Sequence, residues 1–356
     1  MRRLPLRALL GGAVEDERIL YHNLWLRRHG NARYEQLLPR LTRLDAYLLE
    51  ISGRRPLAAA QWRALERAKR LRHAAILRLG ARRYRWLLTT DLEQIPAFPG
   101  EGIVADVDDP AFTEREAELL GRPNVRAFVV TAAWAGERFA ELGVRTPWHV
   151  VPQGFDPRLL AAGSAPPKRP GETVVGFVGS WLLSAGDRRG TNPLWNVDHL
   201  LDLWPEIRTR VPAARLWLVG TPSARVRERC RGRDDVLLVG PLPRRDVLAH
   251  VARFDVALYP RERDQGVSSM KIAEYIGAGV PTVSYDYRVT EILRETGAGV
   301  LVDTPREFVE AVARLASDPA ERERRSAGAR AAAAGLDWDG LARRLEHDVL
   351  DRYLES

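Results

Sequence analysis

The second half of the chain alternates short, unbroken apolar runs with longer segments of helical period, and this rhythm constrains the fold more than any other feature. Runs rich in β-branched residues recur at 174–178, 216–219, 236–239, 256–259, 282–285 and 300–302. Helical segments at 193–211, 244–254, 271–277, 290–296 and 305–316 separate them. A strand that is apolar on both faces must be covered on both, which predicts a parallel sheet between two helical layers. Right-handed crossovers then give a doubly wound α/β domain whose ligands bind beyond the carboxyl ends of the strands.

The first half is less regular but has the same grammar. Strands are expected at 6–10, 46–51, 86–89, 103–105, 127–130 and 149–151. A helix is expected over 57–79, where Leu65, Ala68, Leu71, Ala75 and Leu79 recur at spacings of three and four. A second spans 133–142 and ends at Gly143. Between the halves, 161–173 lacks periodicity and is rich in Gly, Ser and Pro, as a linker would be. The expected division is therefore 1–160, the linker 161–173, 174–335, and a terminal segment 336–356.

With 356 residues the chain exceeds one ordinary core and suits two domains. Its single cysteine, Cys230, excludes an internal disulfide and a cysteine-based metal cage, and fits a reducing, cytoplasmic setting. No apolar run approaches the roughly 18 residues of a membrane span. The start, basic and then apolar but broken by Arg7, reads as a first strand and its Gly11-Gly12 turn rather than a leader peptide. The net charge of +8 is concentrated: residues 54–85 hold eleven Lys and Arg against one acid, Glu66. Arginines on an amphipathic helix attract anionic headgroups, about 1 kcal/mol per basic residue near the surface. A lipid-linked acceptor, or the inner face of a membrane as a peripheral site, is one reading of this segment; a solvated helix face is the other. No nucleic-acid-binding module is recognisable, and nucleic acid is not expected as a partner.

The segment richest in chemistry runs from Gly266 to Ser284. A strand ends at Tyr259-Pro260, a Gly/Ser loop follows, and Ser268 or Ser269 is placed to cap a short helix with its free N–H groups outward. Lys271 then falls in the first helical turn, where a cation opposes the helix dipole. A bound phosphate removes that conflict, because a helix N-terminus is already an anion site. Glu274, three residues on, projects from nearly the same face and is suited to accept hydrogen bonds from two ribose hydroxyls. Phosphate plus a diol acceptor points to a nucleotide.

Tyr259-Pro260, Gly266–Ser269, Lys271, Glu274-Tyr275 and Gly279-Val280-Pro281 together resemble the donor-binding signature of the GT-B glycosyltransferases, in particular the group 1, GT4-like retaining enzymes. The resemblance covers 174–350 and, more weakly, 127–156; the terminal 336–339 and its helix are similar to the family's tail, which returns to the N-terminal domain. It implies two facing Rossmann-like domains and transfer of a sugar from a nucleoside diphosphate sugar, with retention, no metal and no other cofactor. Glu274 would hold the ribose, Lys271 and an arginine the diphosphate, and Val267, Ser268 and Ser269 the sugar and phosphates. Many family members carry a first glutamate near the sugar, and here that region holds Gly266 instead. A silent nucleotide-binding subunit and a nucleotide-sugar epimerase on the same scaffold therefore stay open as alternatives.

Two further sets follow from the same resemblance. The strand 174–178 ends in Gly179-Ser180, where a backbone can approach a ligand, and the next loop offers Arg188 and Arg189 toward the diphosphate, unless both are simply solvated. In the first half, Gly12 matches a glycine turn beneath the diphosphate. Asp108 stands where family members often carry a histidine near the transferred sugar, although a strand-end acid is more ordinarily a turn or cap. Residues 29–33 are either an acceptor-side loop or the start of a helix. The seven histidines show no metal-ligand spacing.

Overall fold

The computed structural model describes residues 2–3, 15–23, 32–48, 68, 71–72, 74–187, 197–261 and 269–354. The expected strand at 6–10, Gly12, most of the 57–79 helix, Arg188, Arg189, Gly266, Val267 and Ser268 lie outside them. The chain forms two compact units: Met1–Gln153 together with Trp338–Ser356, and Gly154–Asp337. The crossing points are thus 153/154 and 337/338, and the breaker-rich stretch 161–173 lies inside the second unit. Its first two residues end the helix Pro157–Ala162, which Asp156 caps through the Arg158 N–H.

The first unit is built on a seven-stranded parallel sheet of order β1-β3-β2-β4-β5-β6-β7. Its strands are β1 (Arg2–Arg3), β2 (Glu15–Asn23), β3 (Leu44–Leu48), β4 (Tyr84–Thr89), β5 (Gly102–Val107), β6 (Val125–Val130) and β7 (Trp148–Val150). β2, between β3 and β4, has no counterpart among the expected strands, because only Ile19–Tyr21 are apolar and four charged residues precede them. Leu20, Leu87, Ile103 and Phe128 pack against the helices that cover the sheet. The C-terminal segment is tied to this unit by Glu346. Its Oε1 accepts from the Thr42 N–H (2.8 Å), the Thr42 hydroxyl (2.6 Å) and the Arg43 N–H (3.1 Å). Arg43 also pairs with Asp351, and His149 Nε2 bonds the Tyr353 hydroxyl at 3.0 Å.

The second unit holds a six-stranded parallel sheet: β8 (Thr173–Leu182), β9 (Ala214–Pro222), β10 (Val236–Gly240), β11 (Val256–Tyr259), β12 (Thr282–Tyr285) and β13 (Gly299–Val302). Its order, β10-β9-β8-β11-β12-β13, is the doubly wound arrangement expected from the sequence. The chain runs outward from β8 to one side and from β11 to the other, so β8 and β11 flank the switch point. Helices Asp198–Arg210 and Pro305–Ser317 cover one face through Leu200, Trp204, Ile207, Phe308 and Val312. A 15-residue helix, Pro319–Ala333, was not foreseen; its composition is polar and alanine-rich, and Asp318 starts it by accepting from the N–H groups of Ala320 and Glu321. The unit's first and last residues meet: the Phe155 N–H donates to the Leu336 carbonyl at 3.0 Å.

Candidate functional site

Ten residues separate the end of β11 from the helix Met270–Gly277. Ser269, one of the two serines expected there, stands at its N-cap with extended backbone, and its side chain makes no capping hydrogen bond. The helix is seated by Tyr275, whose hydroxyl accepts from the Val178 N–H of β8 at 3.0 Å, and by close approach at its other end. A Cβ on Gly277 would lie 2.2 Å from the Phe155 ring, and Gly279 turns the chain at φ +69°. Only glycine meets both demands.

This seating puts Lys271 over the switch point. Its ammonium lies 4.9 Å from the ring centroid of Phe177 on β8 and 5.7 Å from that of Tyr259 on β11. Burial, and then the charge of Arg261, lower its pKa to about 7, with Glu274 opposing. Among the described residues no carboxylate lies within ion-pair distance of it. A partly desolvated cation over two adjacent strands, with no counter-ion among the described residues, is suited to an anion.

Glu274 is buried, with 4% of its surface exposed. Burial pushes its carboxyl pKa up, while Arg244 and Lys271 pull it back. Arg244 Nη2 donates to Oε1 and also contacts the Met270 sulfur. Oε2 has no hydrogen-bond partner among the described residues. An acceptor oxygen left open on an otherwise buried carboxylate is suited to take a hydrogen bond from a ribose hydroxyl.

Of the other residues singled out in the sequence, Gly179 is buried and Ser180 exposed where β8 breaks register against β9. A Cβ at Gly179 would lie 2.9 Å from the Trp181 carbonyl oxygen, so the strand's own bend already requires a glycine there.

In the first unit, β5 ends at Asp106-Val107 and Asp108 follows. Residues 29–31 lie outside the described set, and Ala32 opens the helix Ala32–Leu37, so Arg33 is helical rather than part of a loop. Arg33 is fully buried: its Nε donates to Asp106 Oδ2 at 3.1 Å, and its two Nη groups donate to the carbonyls of Pro152 and Val151, each at 2.8 Å. The Tyr34 hydroxyl donates to the same Asp106 oxygen at 2.6 Å. Asp106 Oδ1 is buried without a partner. Asp108 is thereby set beside a fixed charge: burial, and then Asp106, raise its carboxyl pKa to about 6, with Arg33 opposing. It lines a cavity of about 400 Å³ with Thr90, Asp91, Glu93, Asp109 and Arg115.

Arg244 and Tyr34 are additions to the expected residues, whereas Tyr275 stands in the donor-binding signature and Arg33 in the 29–33 segment, neither with a role assigned to it alone. Arg244 offered one sequence signal, a cation in the first turn after Pro243, the same conflict with the helix dipole that marks Lys271. Tyr34 gave none, because its partner Asp106 is distant in sequence. Among the described residues no group of three or more His, Cys, Asp or Glu side chains is arranged to hold a metal ion, and no helix is long and apolar enough to cross a membrane.

Two parallel sheets flanked by helices, the second ordered 3-2-1-4-5-6, make up the GT-B fold. Residues 174–318, within the second unit, match the family model of glycosyl transferases group 1. No curated protein matches the chain in sequence. Among solved structures, Anabaena Alr3699/HepE in complex with UDP superposes with a TM-score of 0.71 at 14% identity, over 93% of this chain and 99% of that one. The same protein in complex with UDP-glucose gives 0.68 at 14% identity, over 93% and 99%. An α,α-trehalose-phosphate synthase (UDP-forming) from Burkholderia vietnamiensis gives 0.64 at 14% identity, over 93% and 98%. At such identities the likeness is one of fold.

Proposed function

We propose that this protein is a glycosyltransferase that moves a hexose or related sugar from a nucleoside diphosphate sugar to an acceptor, with retention and without a metal. The observation that carries this reading is the pairing, on one short helix at the switch point, of a cation with a buried carboxylate, where among the described residues the cation has no counter-ion and the carboxylate's second oxygen no donor. A nucleoside diphosphate answers both. Its phosphates supply the charge Lys271 lacks, and its ribose supplies hydroxyls for Glu274. Lys271, the helix N-terminal amides and Arg189 would stabilise the departing diphosphate, a role that fixed donors fill at low cost in reorganisation. Arg188, Gly12, Gly179, Ser180, Gly266, Val267, Ser268 and Ser269 would complete the donor contacts, and Asp108 would face the transferred sugar.

UDP is the nucleotide to try first, since the relatives named above are complexes with UDP or a UDP-forming enzyme. Retention and metal independence follow from the resemblance to the group 1, GT4-like enzymes. The lipid-side acceptor is suggested by the basic segment, of which Leu71, Arg72, Ala75 and Arg78 are exposed while Ile76 and Leu77 are buried.

The test is a panel of nucleoside diphosphates and their sugars in thermal unfolding, followed by hydrolysis or transfer with the sugar that stabilises most. Mass action makes a ligand at 100 times its Kd worth about 2.7 kcal/mol of apparent stability. Stabilisation by one nucleotide, with sugar release insensitive to EDTA, is the expected result. No response to any member of the panel overturns the reading. Binding without turnover in the presence of candidate acceptors would favour a silent nucleotide-binding subunit.

A further inference from the structure

Glu274 is held by a residue from a different helix, and that contact has a role beyond packing. Arg244 opens the helix Arg244–Val251, which follows β10, and its side chain is about one-third exposed. Its Nη2 meets Glu274 Oε1, while its Nε is buried and has no partner among the described residues. An arginine held to a buried acid by one nitrogen, with a second donor idle beside it, is not a completed structural pair.

Building on the donor-site reading above, we propose that Arg244 is a positioning residue for donor binding: it fixes the Glu274 carboxylate and supplies its counter-charge, leaving Oε2 to accept from the nucleoside's ribose hydroxyls. The surroundings of Glu274 leave this task to few groups. On its own helix stand Lys271, which acts on it electrostatically, and Tyr275, whose hydroxyl is engaged by the Val178 N–H. The helix Pro319–Ala333 packs against the same helix, but its Arg330 lies over Gly279 and pairs with Glu323. Arg244 is the one charged group hydrogen-bonded to Glu274 among the described residues. Burial alone drives the carboxyl toward its neutral form, and Arg244 is the largest opposing influence. Without it, Glu274 binds a proton more readily and gives up part of its power to accept from a diol.

UDP binding by calorimetry from pH 6 to 9 tests this in the wild type, Arg244→Ala, Arg244→Lys, Glu274→Gln and the Ala/Gln double variant. Arg244→Ala should lose about tenfold in affinity at pH 7, the equivalent of about 1.4 kcal/mol. The ratio to wild type should narrow as pH rises and Glu274 ionises in the variant. Lysine restores the charge and should recover most of the loss. In the Glu274→Gln background, removing Arg244 should change affinity by less than about twofold, because coupled residues are non-additive. A ¹³C titration of the Glu274 carboxyl in nucleotide-free protein should show its midpoint moving up in Arg244→Ala. Arg244→Gln carries the same expectations should the alanine variant fail to fold. Wild-type affinity in Arg244→Ala at every pH, while Glu274→Gln binds weakly, overturns the proposal and leaves the donor site standing. A wild-type protein that binds no UDP or other nucleoside diphosphate overturns both.

Discussion

The Lys271 ammonium lies 4.9 Å from the ring centroid of Phe177 and 5.7 Å from that of Tyr259, so one cation lies over two adjacent strands. The chain leaves those strands for opposite sides of the sheet, which is where an open α/β sheet presents its crevice. Aromatic faces give the cation some attraction but no charge balance. The first prediction follows from this imbalance.

A bound diphosphate should return Lys271 toward its ordinary, fully protonated state. Because its pKa is near 7 in the free protein, UDP binding at pH 8 should take up about one proton. Calorimetry in buffers of differing ionisation enthalpy reads this directly. Affinity should fall as pH rises above 7, by at most about tenfold per unit, and Lys271→Met should abolish both effects. Equal heats in all buffers at pH 8 would contradict the placement of Lys271 at the phosphates.

Asp108 makes a prediction about stability. Its carboxyl pKa is raised from the ordinary 3.8 to about 6 on folding, so the native state holds the proton more tightly than the unfolded chain. The stabilisation from that proton is complete below about pH 4 and is lost as pH climbs through 6. Asp108→Asn should therefore be more stable than wild type at pH 7.5, by about 1–3 kcal/mol, with the difference closing by pH 4. Urea unfolding at the two pH values measures it. If Asp108 also faces the transferred sugar, the same variant should lose turnover while keeping UDP affinity.

Glu346 is the strongest single tie between the C-terminal segment and the rest of its unit. Replacing it with alanine strands two backbone N–H groups and a hydroxyl, and should cost about 2–4 kcal/mol in denaturant unfolding. Glu310→Ala, which removes an exposed pair with Arg306 one helical turn away, should cost less than about 0.5 kcal/mol. Comparable losses in both would deny Glu346 its special place.

The contact between Gly277 and Phe155 predicts an overpacking effect. Gly277→Ala should destabilise the second unit by about 1–3 kcal/mol, and Phe155→Leu should relieve part of that in the double variant. Simple additivity of the two would show that the ring is not what the new methyl meets.

What the sequence made legible was set by how locally each feature is determined. β11 and β12 were read with their true limits because strands buried on both faces need unbroken apolar runs. Lys271 and Glu274 stood out because a cation in a first helical turn is a local contradiction. β2 stayed hidden although it sits inside its sheet, since its Arg18 is balanced by buried Asp45, which also accepts from the Tyr84 hydroxyl. Neither partner is near in the chain, so no window of sequence shows that the charges are neutralised. Arg244 was missed for a related reason: its partner is thirty residues away, on another helix.

The Phe155–Leu336 hydrogen bond closes the second unit like a loop pinched at its neck, with the first unit's polypeptide running into one side and out of the other. During synthesis the last part of the first unit leaves the ribosome only after the whole of the second has been made. Glu346 cannot reach Thr42 until then, so the second unit can finish folding while the first still lacks its closing segment. Its termini are already side by side, which suits 154–337 to expression as a piece of its own.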